Sequence, residues 1–271
     1  TPRTTPARKH HTLPIWIREI IADLAMQNEV YSYCPSKGML ETREFLAAQT
    51  NAGGGVQIAA DDICFFNGLG DAIAKVYQFL DKPARIIGPS PAYSTHSSAE
   101  AAHASHQPLT YKLDPENHWY PDMDDLYNKV KYNPNVVGIL IINPDNPTGM
   151  VYPPETLKRV VELAREFKLF LIADEIYINI TYNGMRATPL AEVIGDVPGI
   201  SMKGISKELP WPGAGRAPVG AAPRAQPRDR VCRPVEPLHR EEVPRAHAQL
   251  PAPRRVARRR ARHVQARQGA G

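Results

Sequence analysis

Apolar residues recur at helical spacing from Leu13 to Met26, and Pro14 suits the first turn of such a helix. Residues 31–38 break the pattern and predict a loop. Residues 39–50 predict a second helix, which ends before the glycine-rich loop 51–55. From there the period switches repeatedly. Short apolar runs predict strands at Ile63–Phe66, Arg85–Gly88, Pro108–Leu113, Val136–Asn143, Leu169–Ala173 and Gly199–Met202. Helices are predicted at Asp71–Leu80, at Ala92–His103 with its small residues, at Asp122–Lys131, and at Glu155–Lys168, which is amphipathic and stands behind Pro153 and Pro154. The run Val136–Asn143 is continuous, apolar and β-branched, as expected of a strand covered on both faces.

Strands alternating with helices of these lengths predict an α/β fold. The expected form is a three-layer α-β-α domain around a mostly parallel sheet of about seven strands. In such sheets ligands bind beyond the carboxyl ends of the strands. The segments that follow the strands are therefore the places to look for chemistry. They are Asn67-Gly-Leu-Gly-Asp71, Pro89-Ser-Pro-Ala-Tyr93, Asn143-Pro-Asp-Asn-Pro-Thr-Gly149, Asp174-Glu-Ile-Tyr177 and Ser206-Lys207.

Charge divides the chain in two. The net charge of +5 over 271 residues combines a mildly acidic stretch, residues 1–213 at −5, with residues 214–271 at +10. The latter hold fourteen arginines, four acids and no Lys, Phe, Trp, Tyr, Ile or Met. Such a composition buries too little to form a core, so disorder is expected there, as it is for residues 1–12. The domain is expected over 13–213. Three scattered cysteines suit neither a disulfide framework nor a zinc site, and no metal site is expected. No apolar run is long enough to span a bilayer and no leader pattern precedes the domain, which predicts a cytoplasmic setting.

Taken one at a time, the rim residues keep two readings each. Leu69, Gly70 and Asp71 open a helix after a small-residue turn, which is either an anion cradle or a plain turn. Asp174 closes an apolar strand, where an unpaired carboxylate is costly. Its partner is either the protonated ring nitrogen of a ligand or a Lys or Arg from a neighbouring loop. Asn146, between Pro144 and Pro147, either presents its amide to a ligand or forms a turn. Tyr177 is either a hydroxyl donor or a packed ring, and Tyr93 either stacks on a flat ligand or belongs to the core. Lys207 is either a solvated surface amine or a nucleophile that attacks a carbonyl.

The motifs at 143–149, Ala173-Asp-Glu-Ile-Tyr177 and Ser206-Lys-Glu-Leu-Pro-Trp-Pro-Gly213, in this order and spacing, resemble the large domain of the class I/II aminotransferases of fold type I. The resemblance covers residues 13–213. It implies pyridoxal 5'-phosphate as cofactor and amino transfer from an amino acid to a 2-oxo acid. It further implies that Lys207 forms the Schiff base with the cofactor aldehyde and shuttles a proton. Asp174 would pair with the pyridine nitrogen, Asn146 and Tyr177 with the ring's phenolic oxygen, and Tyr93 with the ring face. The amides around Leu69, Gly70 and Asp71 would cradle the phosphate. Tyr33 would reach the phosphate of a partner subunit, which implies a homodimer. Lys203 is a rival for Lys207 but lacks the Ser-Lys context. Alternatives are a lyase or decarboxylase on the same fold, or a non-catalytic fragment whose Arg254–Arg262 run binds nucleic acid.

The resemblance stops after Gly213. Arg216 stands near the position of the family's phosphate-binding Arg, but the surrounding pattern does not continue, and the small domain with its substrate-carboxylate Arg is not recognisable. Poor solubility and poor activity are therefore expected of the chain as written. Arg, Ala, Pro and Gly make up 38 of residues 214–271, the composition of a GC-rich gene translated out of frame. The hypothesis is a frame slip near codon 213. An uninterrupted reading frame across that codon in the gene would contradict it.

Overall fold

The computed structural model describes residues 13–209 and 217–221. The expectations for residues 1–12, for Arg216 and for the arginine-rich run 254–262 fall outside these residues. The N-terminal helices are α1 (Ile15–Ala25), entered from Pro14, and α2 (Leu40–Ala52). The alternating part follows: β1 (Ile63–Phe66), α3 (Leu69–Gln78), β2 (Arg85–Ser90), α4 (Ser94–Ala104), β3 (Thr110–Asp114) and β4 (Tyr120–Pro121). Then come α5 (Met123–Tyr132), β5 (Val136–Ile142), α6 (Pro154–Glu166), β6 (Phe170–Asp174), β7 (Gly199–Met202), α7 (Ile205–Glu208) and β8 (Ala217–Ala221). Local chemistry marks the helix starts. The Asp122 carboxylate accepts the Asp125 N–H at 3.0 Å to cap α5, and Pro154 occupies the first turn of α6, where no N–H is needed.

Eight strands form the sheet, in the order β1-β8-β7-β6-β5-β2-β3-β4. The five strands from β7 to β3 are mutually parallel. β4 pairs antiparallel at one edge, and β8 pairs antiparallel with both β1 and β7. β1 therefore runs in the same direction as β7.

Two strands exceed the sequence expectation. β4 is only two residues long and carries no periodic signal. β8 corrects the expectation that disorder begins at residue 214, because Ala217–Ala221 is a strand of the sheet. Composition predicts core-forming power, but a strand ladder uses backbone N–H and C=O groups that Ala, Val and Gly all carry. Only Pro218 brings no donor.

The core sits on both faces of the sheet, as side chains alternate along each strand. Ile139, Ile141, Leu171 and Ala173 pack with Leu126, Val130, Leu157, Val160 and Val161 of α5 and α6. Leu140, Ile142 and Ile172 point the other way, to Ile73 and Tyr77 of α3 and Ala99 of α4. This is the expected three-layer arrangement. Asp174 falls in the second set by the same alternation, on the side of α3 and α4.

Candidate active site

The strand register brings the site segments to one rim. Ile142 of β5 lies opposite Asp174 of β6, which lies opposite Met202 of β7. Two bonds tie the ends together: Asn143 N–H donates to the Asp174 carbonyl at 3.0 Å, and Glu175 N–H to the Met202 carbonyl at 2.8 Å. The Asn143–Gly149 loop, the Asp174–Tyr177 turn and the Lys203–Glu208 segment thus leave the sheet side by side. Because β1 shares their direction, the turn before α3 leaves at the same rim.

Asp174 is 1% exposed. Its Oδ2 lies 2.9 Å from His96 Nε2, and its Oδ1 accepts the Ile176 N–H at 3.1 Å. The protein partner of this carboxylate is thus a buried histidine of α4 and not a Lys or Arg from a loop. His96 is the partner of Asp174 that the sequence reading missed. A histidine in a helix of small residues has no distinctive pattern. The available signal was its position three residues after Tyr93, one helical turn along. Tyr93 precedes α4 and meets the His96 ring edge-on, with centroids 6.2 Å apart, so it is linked to Asp174 through one residue.

Asn146 is half-buried in its loop, and Tyr177 is half-buried in the turn three residues past Asp174. Leu69, Gly70 and Asp71 form the first turn of α3, whose leading N–H groups have no acceptor within the helix. Gly68 precedes them at φ 83° and ψ 167°, a conformation that only glycine adopts readily. A Cβ on Gly70 would meet nothing within 4 Å, so its backbone is open to an approaching group. The Asp71 carboxylate turns back to accept the Asn67 N–H at 3.1 Å, which leaves its amide, not its side chain, for an anion. A cavity of about 210 Å³ beside this turn is lined by Cys34, Gly38, Phe66, Asn67 and Asp71. Tyr33, next to Cys34, is fully exposed.

The two lysines differ. Lys203 directly follows β7, and its Nζ lies 3.5 Å from Oε2 of the buried Glu175. Glu175 also accepts the Ser201 hydroxyl and the Leu190 N–H. Lys203 is thus a counter-ion. Lys207, on α7, is exposed and its amine makes no ion pair or hydrogen bond among the described residues.

Asp145, beside Asn146, is a buried carboxyl. Burial pushes its pKa up, against the opposing effect of its bonds from Thr148, and the Asp174 charge adds to the rise. A raised folded value means that the folded chain binds this proton more tightly than the unfolded chain. The stabilisation is full below the unfolded value of 3.8 and is lost as pH rises through the folded value. Asp145→Asn removes this dependence. In thermal unfolding it should gain on the wild type as pH rises from about 4 to about 8. A constant difference across that range would contradict this.

The family described as aminotransferase class I and II matches residues 4–224. The chain belongs to this family. An uncharacterised aminotransferase of Methanocaldococcus jannaschii is 62% identical over 77% of this chain and 48% of its own length. The glutamate-pyruvate aminotransferase AlaA of Escherichia coli K12 is 35% identical over 65% of this chain and 43% of its own length. Among solved structures, an Escherichia coli aminotransferase superposes with TM-score 0.72 at 29% identity, over 80% of this chain and 52% of that one. An alanine aminotransferase of Pyrococcus furiosus superposes with TM-score 0.69 at 28% identity, over 78% of this chain and 53% of that one. This class I and II aminotransferase chain thus spans about half the length of the relatives it matches, and over that half it shares the fold of the solved aminotransferases. No helix among the described residues is long and apolar enough to cross a membrane.

Proposed function

We propose that this chain holds pyridoxal 5'-phosphate and carries the cofactor-binding half of an aminotransferase that moves an amino group from an amino acid to a 2-oxo acid. One observation carries the reading: a buried carboxylate, Asp174, stands at the centre of the rim, steadied on Oδ2 by His96 and on Oδ1 by the Ile176 N–H. A carboxylate oxygen has more than one acceptor site, so Asp174 retains capacity for a ring N–H. The donor set fits the rest of the group. The open amides at the start of α3 suit a phosphate. The Asn146 amide and the Tyr177 hydroxyl suit a phenolic oxygen, and Tyr93 suits a ring face.

When bound, the cofactor supplies an aldehyde and an electron-withdrawing ring. The chain's own residues do the remainder. Lys207 would hold the cofactor aldehyde through its amine, with loss of water, and would move the proton at the substrate Cα. Asp174 keeps the ring nitrogen protonated, and His96 holds Asp174 in the orientation required. Full exposure of Tyr33 supports a homodimer in which it reaches a partner's phosphate. The exposed thiol of Cys34 suits a reducing, cytoplasmic setting. The name of the 35% identical relative makes glutamate and pyruvate the first substrates to assay.

The test is a titration of the chain with pyridoxal phosphate, followed by an assay of amino transfer. A saturable visible absorption band that glutamate bleaches supports the reading. No band at saturating cofactor would sink it.

A further inference from the structure

The loop that carries Asn146 is tied from within by one side chain. Asp145 is 4% exposed. Its N–H donates to the Met150 carbonyl at 2.8 Å, and its carbonyl accepts the Gly149 N–H at 2.9 Å. Its Oδ2 accepts both the N–H of Thr148, at 3.1 Å, and the Thr148 hydroxyl. The Thr148 oxygen in turn accepts the Met150 N–H at 3.3 Å. Gly149 completes the turn at φ 74°.

Asp145 Oδ1 and the Tyr152 hydroxyl are buried atoms with no hydrogen-bond partner among the described residues. Each of these two groups bears on the other's acidity. Tyr152 is itself fixed. It is 1% exposed, its N–H donates to Asn143 Oδ1 at 2.9 Å, and its ring meets Tyr120 edge-on. The other ionisable groups that bear on this point are Asp174 of β6 and Tyr111 of β3, whose hydroxyl donates to the Leu140 carbonyl. The Asn146 amide has no hydrogen bond of its own among the described residues, so its position follows the loop backbone that carries it.

We propose that Asp145 is a positioning residue for Asn146: its carboxylate closes the Asn143–Gly149 loop through Thr148, and that closure fixes where the Asn146 amide stands at the rim. Asp145 acts through its neighbour and touches no reacting atom. The proposal rests on the cofactor reading above, since the Asn146 amide is taken to serve the phenolic oxygen of the ring.

The test uses the full chain with pyridoxal phosphate and follows the pH midpoint of the visible band. A purely structural loss lowers occupancy but leaves this midpoint in place. Removing a donor from the phenolic oxygen raises it, by about 0.5–1 unit. Asp145→Ala and Asn146→Ala should each produce this rise, and the double variant should rise no further than Asn146→Ala alone. Asp145→Asn keeps an acceptor for Thr148, so it should retain the wild-type midpoint. Thr148→Val, a milder change, should shift the midpoint in the same direction and serves if Asp145→Ala does not fold. Amide hydrogen exchange at Thr148 and Gly149, measured without cofactor, should be at least about 10-fold faster in whichever of these two variants is used. A band with an unmoved midpoint, additive shifts in the double variant, or unchanged exchange would overturn this proposal and leave the cofactor reading standing. A wild-type chain with no band would overturn both.

Discussion

Lys207→Ala is expected to abolish the visible band that pyridoxal phosphate develops with this chain, and to leave thermal stability almost unchanged. The two halves of this result have separate causes. Lys207 is exposed and its amine makes no hydrogen bond or ion pair among the described residues, so truncation breaks no tertiary contact of that group. Surface changes of this kind usually stay within about 0.5 kcal/mol. Its amine is nonetheless the nucleophile assigned to the cofactor aldehyde, and an Ala side chain has nothing to replace it. Lys203→Ala should behave in the opposite way. It strips the counter-ion from buried Glu175 at 3.5 Å and should cost stability, with the band retained in whatever fraction remains folded. Absorbance and thermal unfolding on the two variants check both statements. Loss of the band in Lys203→Ala alone would reverse the assignment.

Asp174 carries the second large effect, and two substitutions separate its roles. Asp174→Ala orphans His96 Nε2 and the Ile176 N–H in a site where Asp174 itself is 1% exposed. Leaving buried polar groups unpaired costs about 1–3 kcal/mol each, so this variant should melt well below the wild type. Asp174→Asn keeps an acceptor for Ile176 and a polar contact for His96, and should fold with much of its stability intact. It lacks the negative charge that keeps a pyridine nitrogen protonated. Amino transfer should therefore fall by about 10²–10³-fold, the usual penalty for losing one preorganised charge at a reacting centre. Steady-state rates set beside denaturation curves give the comparison. An Asn variant as active as the wild type would show that the carboxylate serves His96 and the loop alone.

The parts of the fold legible in the sequence were those whose burial demands an apolar run. Val136–Ile142, Phe170–Asp174 and Gly199–Met202 could be placed to within a residue or two because a strand covered on both faces admits few polar residues. Their carboxyl ends then pointed to Asn146, Asp174 and the lysines. The illegible parts depend on partners distant in sequence. β8 is an alanine- and glycine-containing segment that becomes a strand by pairing with β1 on one side and β7 on the other. His96 reaches Asp174 across 78 positions, a contact that no local pattern encodes. Asp145 is illegible for the same reason: in sequence it is one polar residue of a loop, and only the fold shows it buried with bonds to Thr148, Gly149 and Met150.

Borohydride reduction of the chain with pyridoxal phosphate, followed by peptide mapping, reads out the bond between protein and cofactor directly. The account predicts one stoichiometric phosphopyridoxyl adduct on Lys207, lost in Lys207→Ala. A stoichiometric adduct on Lys203, or labelling scattered over surface lysines with no preference, would contradict it.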